Sequence, residues 1–270
     1  MKIHYGQSPV LADPKSWQND TPPTDTLPAP AGQVLPESII GPDNREQVSS
    51  SMNFPWRSIC RLRMYFGSTP YIGTGFLIRQ NLLLTAAHNL YKPAHGLSSK
   101  VIVLAGINGG VTPNFGTCEV GKSFLRVPPE YRAGDKRWDF GVVVLNRPFA
   151  APPLALTKFN ANFTAPGIVS GYPKKVHNSE SLTQNGTTQW FHRGTISRST
   201  GNLFYNIDTS KGQSGAPVLV ERIPANGSPY WSAVGVHVRS SSNGSGNEAT
   251  VINNVVLDRL KSWLPGGGGS

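Results

Sequence analysis

Cysteine is nearly missing from this chain, with only Cys60 and Cys118 among 270 residues. They allow at most one disulfide, and without a C-x-x-C spacing they suggest no metal site. A pair of buried free thiols fits equally well. Long apolar runs are also absent: hydrophobic residues make up 38% of the chain, yet no stretch approaches the roughly 18 residues a membrane helix needs. No membrane partner is expected. Charged residues are sparse, and acids are the scarcer sign, 15 against 25 Lys and Arg, for a net charge of +10. That excess favours acidic partners. The basic residues are scattered and not interleaved with aromatics in a nucleic-acid motif, so solubility is the plainer reading and no nucleic-acid partner is expected. A cleft that draws in acidic side chains is a second use. The opening Met1-Lys-Ile-His-Tyr-Gly has no apolar core of signal-peptide length: either a leader was removed or there was none.

What the chain has is proline and short β-type runs. Residues 1–37 carry seven prolines, at 9, 14, 22, 23, 28, 30 and 36, with few large apolar residues, and such an arm cannot build a core. From Ser38 the pattern changes to short strands broken by Gly, Pro and Asn. They are expected at Arg57–Phe66, Gly75–Ile78, Leu82–Thr85, Val101–Leu104, Phe140–Leu145, Gly167–Ser170, Thr188–Ile196, Leu203–Asp208, Ala216–Val220 and Trp231–Val238. Many short strands make an all-β barrel or sandwich. Three prolines in Arg147–Pro153 mark a break between two β halves. Apolar residues at 256, 257, 260, 263 and 264 have helical spacing, ended by Pro265. The parts are therefore an arm, 1–37; a first β unit, 38–150; a second, 151–264, with the helix; and a flexible linker or tail, 265–270.

Chemistry centres on Asp208-Thr-Ser-Lys-Gly-Gln-Ser-Gly215. Gly212 and Gly215 permit a tight turn that exposes Ser214 and leaves backbone N–H groups on its concave side. A serine hydroxyl needs a base to become a nucleophile. His88, after the apolar run Leu82-Leu-Leu-Thr and two alanines, is the candidate. His4, His95 and His177 read as surface or hydrogen-bonded residues. Asp139 enters the strand Phe140–Leu145, where a carboxylate meeting a buried environment needs a partner, and His88 is the obvious one. Asp135, in Gly-Asp-Lys-Arg, reads as solvated. A Gly-rich hairpin turn is the plain alternative for the serine motif alone.

His88, Asp139 and Ser214 occur in the trypsin-like order, and Ala216 stands where an α/β-hydrolase would carry its last glycine. The segments Ser38-Ile-Ile-Gly-Pro-Asp-Asn-Arg, Gly171-Tyr-Pro, Thr188-Gln-Trp, Asp208–Gly215 and Val234-Gly-Val-His237 resemble the trypsin-like serine proteases, and within them the bacterial glutamyl endopeptidases. The resemblance covers most of residues 38–264. It implies two six-stranded antiparallel β-barrels with a C-terminal helix. It also implies a Ser-His-Asp triad in the cleft between them and an oxyanion hole from the N–H groups of Gly212 and Ser214. Thr209 and His237 match the positions that bind an acidic substrate side chain.

Glu37 directly precedes the segment resembling the mature start, so a Glu-specific enzyme could free its own N-terminus, and the resemblance implies that the α-amino group of Ser38 then approaches the pocket. In trypsin the freed amine pairs with an aspartate just before the nucleophile. Here that residue is Gln213, which removes that route. The cysteines are not placed for the family's bridge beside the catalytic histidine, and His192 has no assigned role.

The reading is a secreted serine endopeptidase, monomeric, made as a proenzyme cut after Glu37. It hydrolyses bonds after Glu, with Asp weaker, in proteins or peptides with acidic residues, and requires no metal or organic cofactor. Two alternatives stand beside it. One is a protease preferring Arg or Lys through Asp208, six residues before Ser214, where a carboxylate would repel an acidic substrate. The other is a protease-like binding module without turnover.

Overall fold

The computed structural model describes residues 38–158, 162–179, 181–198, 201–224, 227–241 and 246–264. The expected arm with Glu37, and the tail, lie outside the described residues. β1 (Glu46–Gln47) is a short edge strand that pairs with the second sheet described below. The first sheet is built from β2 (Ile59–Phe66), β3 (Thr69–Arg79) and β4 (Leu82–Thr85). A small hairpin of β5 (Tyr91–Lys92) and β6 (Gly96–Leu97) follows. The first sheet then resumes with β7 (Lys100–Ala105), β8 (Gly116–Gly121), β9 (Leu125–Arg126) and β10 (Gly141–Val144). Its order is β8-β7-β2-β3-β4-β10-β9, antiparallel throughout and curled into a half-barrel.

The second half contains β11 (Ala155–Leu156), β12 (Phe163–Gly171), β13 (Trp190–Arg198), β14 (Leu203–Tyr205), β15 (Pro217–Arg222), β16 (Tyr230–Ser240) and β17 (Asn247–Val251). The path β13-β12-β15-β16-β17-β14 returns to β13, which closes a six-stranded barrel. Closure leaves those strands without a free edge. The expected all-β architecture is therefore borne out, with one six-stranded barrel closed and the other half a curled seven-stranded sheet.

Burial follows from strand periodicity. In β7 the residues Val101, Val103 and Ala105 point inward while their neighbours are half-buried, the two-residue alternation of a one-faced strand. β4 lies between β3 and β10 and is buried on both faces, which is why Leu82-Leu-Leu reads as one apolar run. Val169, Ile196, Leu203, Val218, Val234 and Val251 belong to the buried cluster of the closed barrel. A second cluster joins the halves, including Phe76, Leu83 and Phe140 from the first and Ile168, Tyr172 and Leu219 from the second. The Tyr172 hydroxyl lies within hydrogen-bonding distance of the Ile59 and Ile107 carbonyls, at 3.2 and 3.0 Å.

Among the described residues three α-helices punctuate the strands: α1 (Ala87–Leu90), α2 (Pro129–Arg132) and α3 (Asn254–Ser262). In α3 the Asn253 side chain caps the first turn by accepting from the Val256 N–H at 3.0 Å, and Val256, Leu257 and Leu260 are buried, as the spacing predicts. Arg259 then reaches Glu130 of α2 at 2.6 Å, tying this C-terminal helix to the first half. No helix among the described residues is long and apolar enough to cross a membrane.

Among the strands longer than two residues, two escape the sequence pattern. β8 reads Gly-Thr-Cys-Glu-Val-Gly and β17 reads Asn-Glu-Ala-Thr-Val, where polar residues dilute the apolar alternation. Cys60 faces Ala105 across β2 and β7, whereas Cys118 faces Val103 across β7 and β8. That register sets the thiols on non-adjacent strands and in different rows, and both are free and buried.

Candidate active site

The strand β4 ends at Thr85, and Ala86 and Ala87, both fully buried, leave room for a sharp turn into α1 with His88 at its second position. On the neighbouring strand Gly141 lies opposite Thr85. That register carries Asp139, two residues before Gly141, to His88. The carboxylate grips the histidine twice: Oδ1 accepts the backbone N–H at 3.0 Å, and Oδ2 lies 2.9 Å from Nδ1. Asp139 is only 5% exposed. Burial pushes its pKa up, but the nearby His88, its two hydrogen bonds and the Arg239 charge outweigh that and hold it below the usual carboxylate range. Asp135 instead caps the turn at 136–138 and pairs with Arg137 at 2.6 Å.

Ser214 sits on a turn that only glycine can make. Gly212 has φ +103° and Gly215 φ +86°, the region that penalises L side chains. A β-carbon at 212 would lie 2.4 Å from the Tyr172 carbonyl, and one at 215 would lie 2.2 Å from both Thr74 O and Thr85 Oγ1. The Ser214 carbonyl accepts from the Thr74 N–H at 2.9 Å and from Asn89 Nδ2 at 2.8 Å. Asn89 is the residue after His88 and is itself held by Thr85 Oγ1 at 3.0 Å. The base and the serine thus belong to two segments stitched together one residue away from the histidine. Among the described residues the Gly212 N–H has no hydrogen-bond acceptor, while its carbonyl accepts from Thr74 Oγ1 at 2.7 Å. The sequence reading passes over Thr74, Thr85 and Asn89. The one signal they give is a polar residue inside or just after an apolar strand.

The specificity candidates lie deeper. His237, on β16, is fully buried, with Nδ1 2.6 Å from the Tyr205 hydroxyl. Burial, followed by the charge of His88, lowers its pKa to about 3, so the imidazole is neutral at neutral pH. Thr209 is also fully buried, and its Oγ1 has no hydrogen-bond partner among the described residues. Its N–H donates to the Ser38 carbonyl at 3.1 Å. Ser38 is further fixed by Asn247, which accepts from its N–H at 3.1 Å and donates to its carbonyl at 2.9 Å, and by the hydroxyl of Ser240.

Asp208, 1% exposed, turns towards this N-terminal segment: Oδ1 accepts from the Ile40 N–H at 2.8 Å and Oδ2 from the Asn44 N–H at 3.0 Å. His192 lies against it. Its Nδ1 accepts the Asp208 N–H at 2.8 Å and so cannot also donate to Oδ2, 3.3 Å away. Among the described residues no group of three or more His, Cys, Asp or Glu side chains is placed to hold a metal ion.

The trypsin family profile matches residues 48–264. Among characterised proteins, the glutamyl endopeptidase of Bacillus licheniformis is 29% identical over 236 residues, 84% of this chain and 69% of that protein. The extracellular metalloprotease of Bacillus subtilis is 30% identical over 232 residues, 85% of this chain and 71% of that protein. A solved Glu endopeptidase in complex with MPD superposes with a TM-score of 0.68 at 27% identity, covering 82% of this chain and 97% of that one. The protease Anisep of Arthrobacter nicotinovorans, at 16% identity and a TM-score of 0.61 over 78% of this chain and 95% of its own, shares the fold. With the family profile spanning both β halves and the C-terminal helix, the chain belongs to the trypsin family and is a trypsin-like serine protease.

Proposed function

We propose that this protease cleaves after glutamate, with aspartate the weaker alternative. The observation that carries this reading is the buried Thr209 hydroxyl, without a partner among the described residues. A hydroxyl taken out of water costs stability until an acceptor arrives, and a substrate carboxylate is an acceptor. His237, neutral when the site is empty, is the second contact. A carboxylate entering beside it favours the imidazolium, because an opposite charge nearby raises a histidine pKa. The likeness to a glutamyl endopeptidase points the same way. Asp208 supports it by default, since both its oxygens are held by backbone N–H groups of residues 40 and 44 rather than presented to a cationic substrate.

In the proposed reaction Ser214 Oγ attacks the peptide carbonyl and His88 takes its proton. Asp139 holds the imidazole through Nδ1 and stabilises the imidazolium. The N–H groups of Gly212 and Ser214 receive the oxyanion. His88 next donates the proton to the leaving amine, and water hydrolyses the acyl-enzyme by the reverse steps. His88 and Asp139 belong to the unit 38–150 and Ser214 to the unit 151–264. Cleavage after Glu37 would turn the Ser38 N–H, now donating to Asn247, into a cationic amine beside Thr209. We take the protein to be a secreted proenzyme that works as a monomer.

Incubating the purified chain with a mixed peptide library, mapping the cuts and sequencing its own N-terminus tests this reading. Cuts after Glu with a new start at Ser38 are expected. Cuts after Arg or Lys would transfer the specificity to Asp208. A chain that neither cuts nor reacts with a serine-directed probe, even after cleavage at Glu37, would be a binding module.

A further inference from the structure

Behind the turn that carries Ser214 lies a buried cation. The Arg45 side chain is 2% exposed. Its Nε and Nη2 donate to the two carboxylate oxygens of Asp43 at 2.9 and 2.7 Å, and Nη2 also donates to the Lys175 carbonyl at 2.9 Å. Nη1 donates to Ser210 Oγ at 2.6 Å and to Gln213 Oε1 at 2.8 Å. The Gln213 oxygen accepts the Ser210 N–H at 3.0 Å as well, and the Gln213 N–H donates to the Ser210 carbonyl at 3.0 Å. One guanidinium therefore joins three segments: 43–45, the loop at 174–175, and both ends of the turn 210–213.

We propose that Arg45 is a positioning residue that sets the oxyanion-binding geometry by clamping Gln213. Gln213 lies between Gly212 and Ser214, whose peptide N–H groups are the proposed oxyanion donors, and the inference rests on that reading. A rotation at Gln213 turns the Ser214 donor away from the Gly212 donor. Gly212, with no side chain, resists a flip of its peptide weakly, and the carbonyl of that peptide, Lys211 O, accepts the Lys174 N–H at 2.7 Å from the loop that Arg45 also grips at Lys175. The only side chain that donates to the Gln213 amide oxygen among the described residues is Arg45. A planar fork with five donors can hold a carboxylate and the turn at once, whereas a lysine ammonium cannot. The clamp is a side chain and not a chain terminus, so it needs no newly freed amine. Release of the N-terminus then acts on the substrate pocket through Ser38, and the oxyanion geometry is already set.

Gln213→Met is the decisive variant. It removes the clamped oxygen at similar size while Arg45 keeps Asp43, Ser210 and Lys175, so the fold is preserved. Arg45→Ala and Arg45→Lys accompany it. Two measurements are made on the purified chain: backbone hydrogen exchange of the segment 209–215 against the rest of the protein, and kcat and KM on the peptide that the wild type cuts fastest. Expected are faster exchange confined to 209–215 and a kcat lower by on the order of 10²-fold, with KM little changed. A peptide aldehyde, which forms the oxyanion, should lose affinity by the same factor, and a product acid should not. Added guanidinium ion should restore part of the activity of Arg45→Ala.

Wild-type exchange and wild-type kcat in Gln213→Met would overturn the clamp. If the wild-type chain shows no Ser214-dependent hydrolysis, the proposed function fails. The exchange measurement then decides the hold of Arg45 on the turn by itself, with unchanged exchange overturning it.

Discussion

Asn89 Nδ2 donates to the main-chain carbonyl of Ser214 at 2.8 Å, across 125 positions of sequence. This bond joins the helix that carries His88 to the turn that carries the serine. Asn89→Leu keeps the buried volume and removes this donor, while the Thr74 N–H stays on the Ser214 carbonyl. Lost buried hydrogen bonds of this kind cost about 1–3 kcal/mol. Denaturant unfolding should therefore show that loss, and kcat should fall because the two halves of the site lose their register. A variant with wild-type stability and turnover would show that the bond holds nothing.

Asp139→Asn tests the carboxylate under His88. An amide retains the shape but offers an N–H where the ring needs an acceptor, which favours the wrong tautomer, and kcat should drop about 10⁴-fold. The Asp139 pKa is held below the usual carboxylate range, so its stabilising contribution is present above the unfolded value of about 3.9. It is lost as pH falls through the lower folded value. The variant should lose that part of the acid limb, and unfolding curves measured from neutral pH downwards read the difference.

Much of this was legible from residue order. His88, Asp139 and Ser214 each stand next to a strand, and strand register is what places such residues, so the pairing of Gly141 with Thr85 follows from two recognisable apolar runs. The role of Asp208 was not legible. Its distance from Ser214 in sequence suits a pocket floor, yet its partners Ile40 and Asn44 lie 168 and 164 positions away and bond through backbone N–H groups, which leave no mark on side-chain pattern. Arg45 and Tyr205 escaped for a related reason. A single arginine before a strand, or a tyrosine at a strand's end, looks the same whether it faces water or Gln213 and His237. β8 and β17 were missed because their buried faces carry cysteine, asparagine and threonine as well as valine and alanine.

Cys60 and Cys118 give a chemical check on the first half. Both are free and buried, and burial pushes the Cys60 thiol well above its ordinary pKa. Thiolate is the reactive form. Iodoacetamide should therefore label neither residue in the folded protein at neutral pH and both after denaturation, as read by mass spectrometry of the modified peptides. Reducing agent should leave the unfolding midpoint unchanged. A mass two units lower without reductant, or a midpoint that falls with it, would reveal a bridge and a different register for β2 and β8.

His237 should write its burial into the pH dependence of stability. Its folded pKa is about 3, against about 6.5 for an unburied imidazole. Between these values the unfolded chain binds a proton that the folded chain refuses, so folding stability rises with pH through this window. The contribution is complete above about pH 6.5 and disappears as pH falls towards the folded value. His237→Gln has no such titration, so its stability should change less steeply across the window, although its absolute stability differs. Tyr205→Phe removes the hydroxyl 2.6 Å from Nδ1 but leaves the ring buried, and should keep the steep limb. If wild type and His237→Gln lose stability in parallel between neutral pH and pH 4, the imidazole is not held neutral. Proton uptake by the imidazole as a carboxylate arrives would then no longer explain how the pocket accepts an acid.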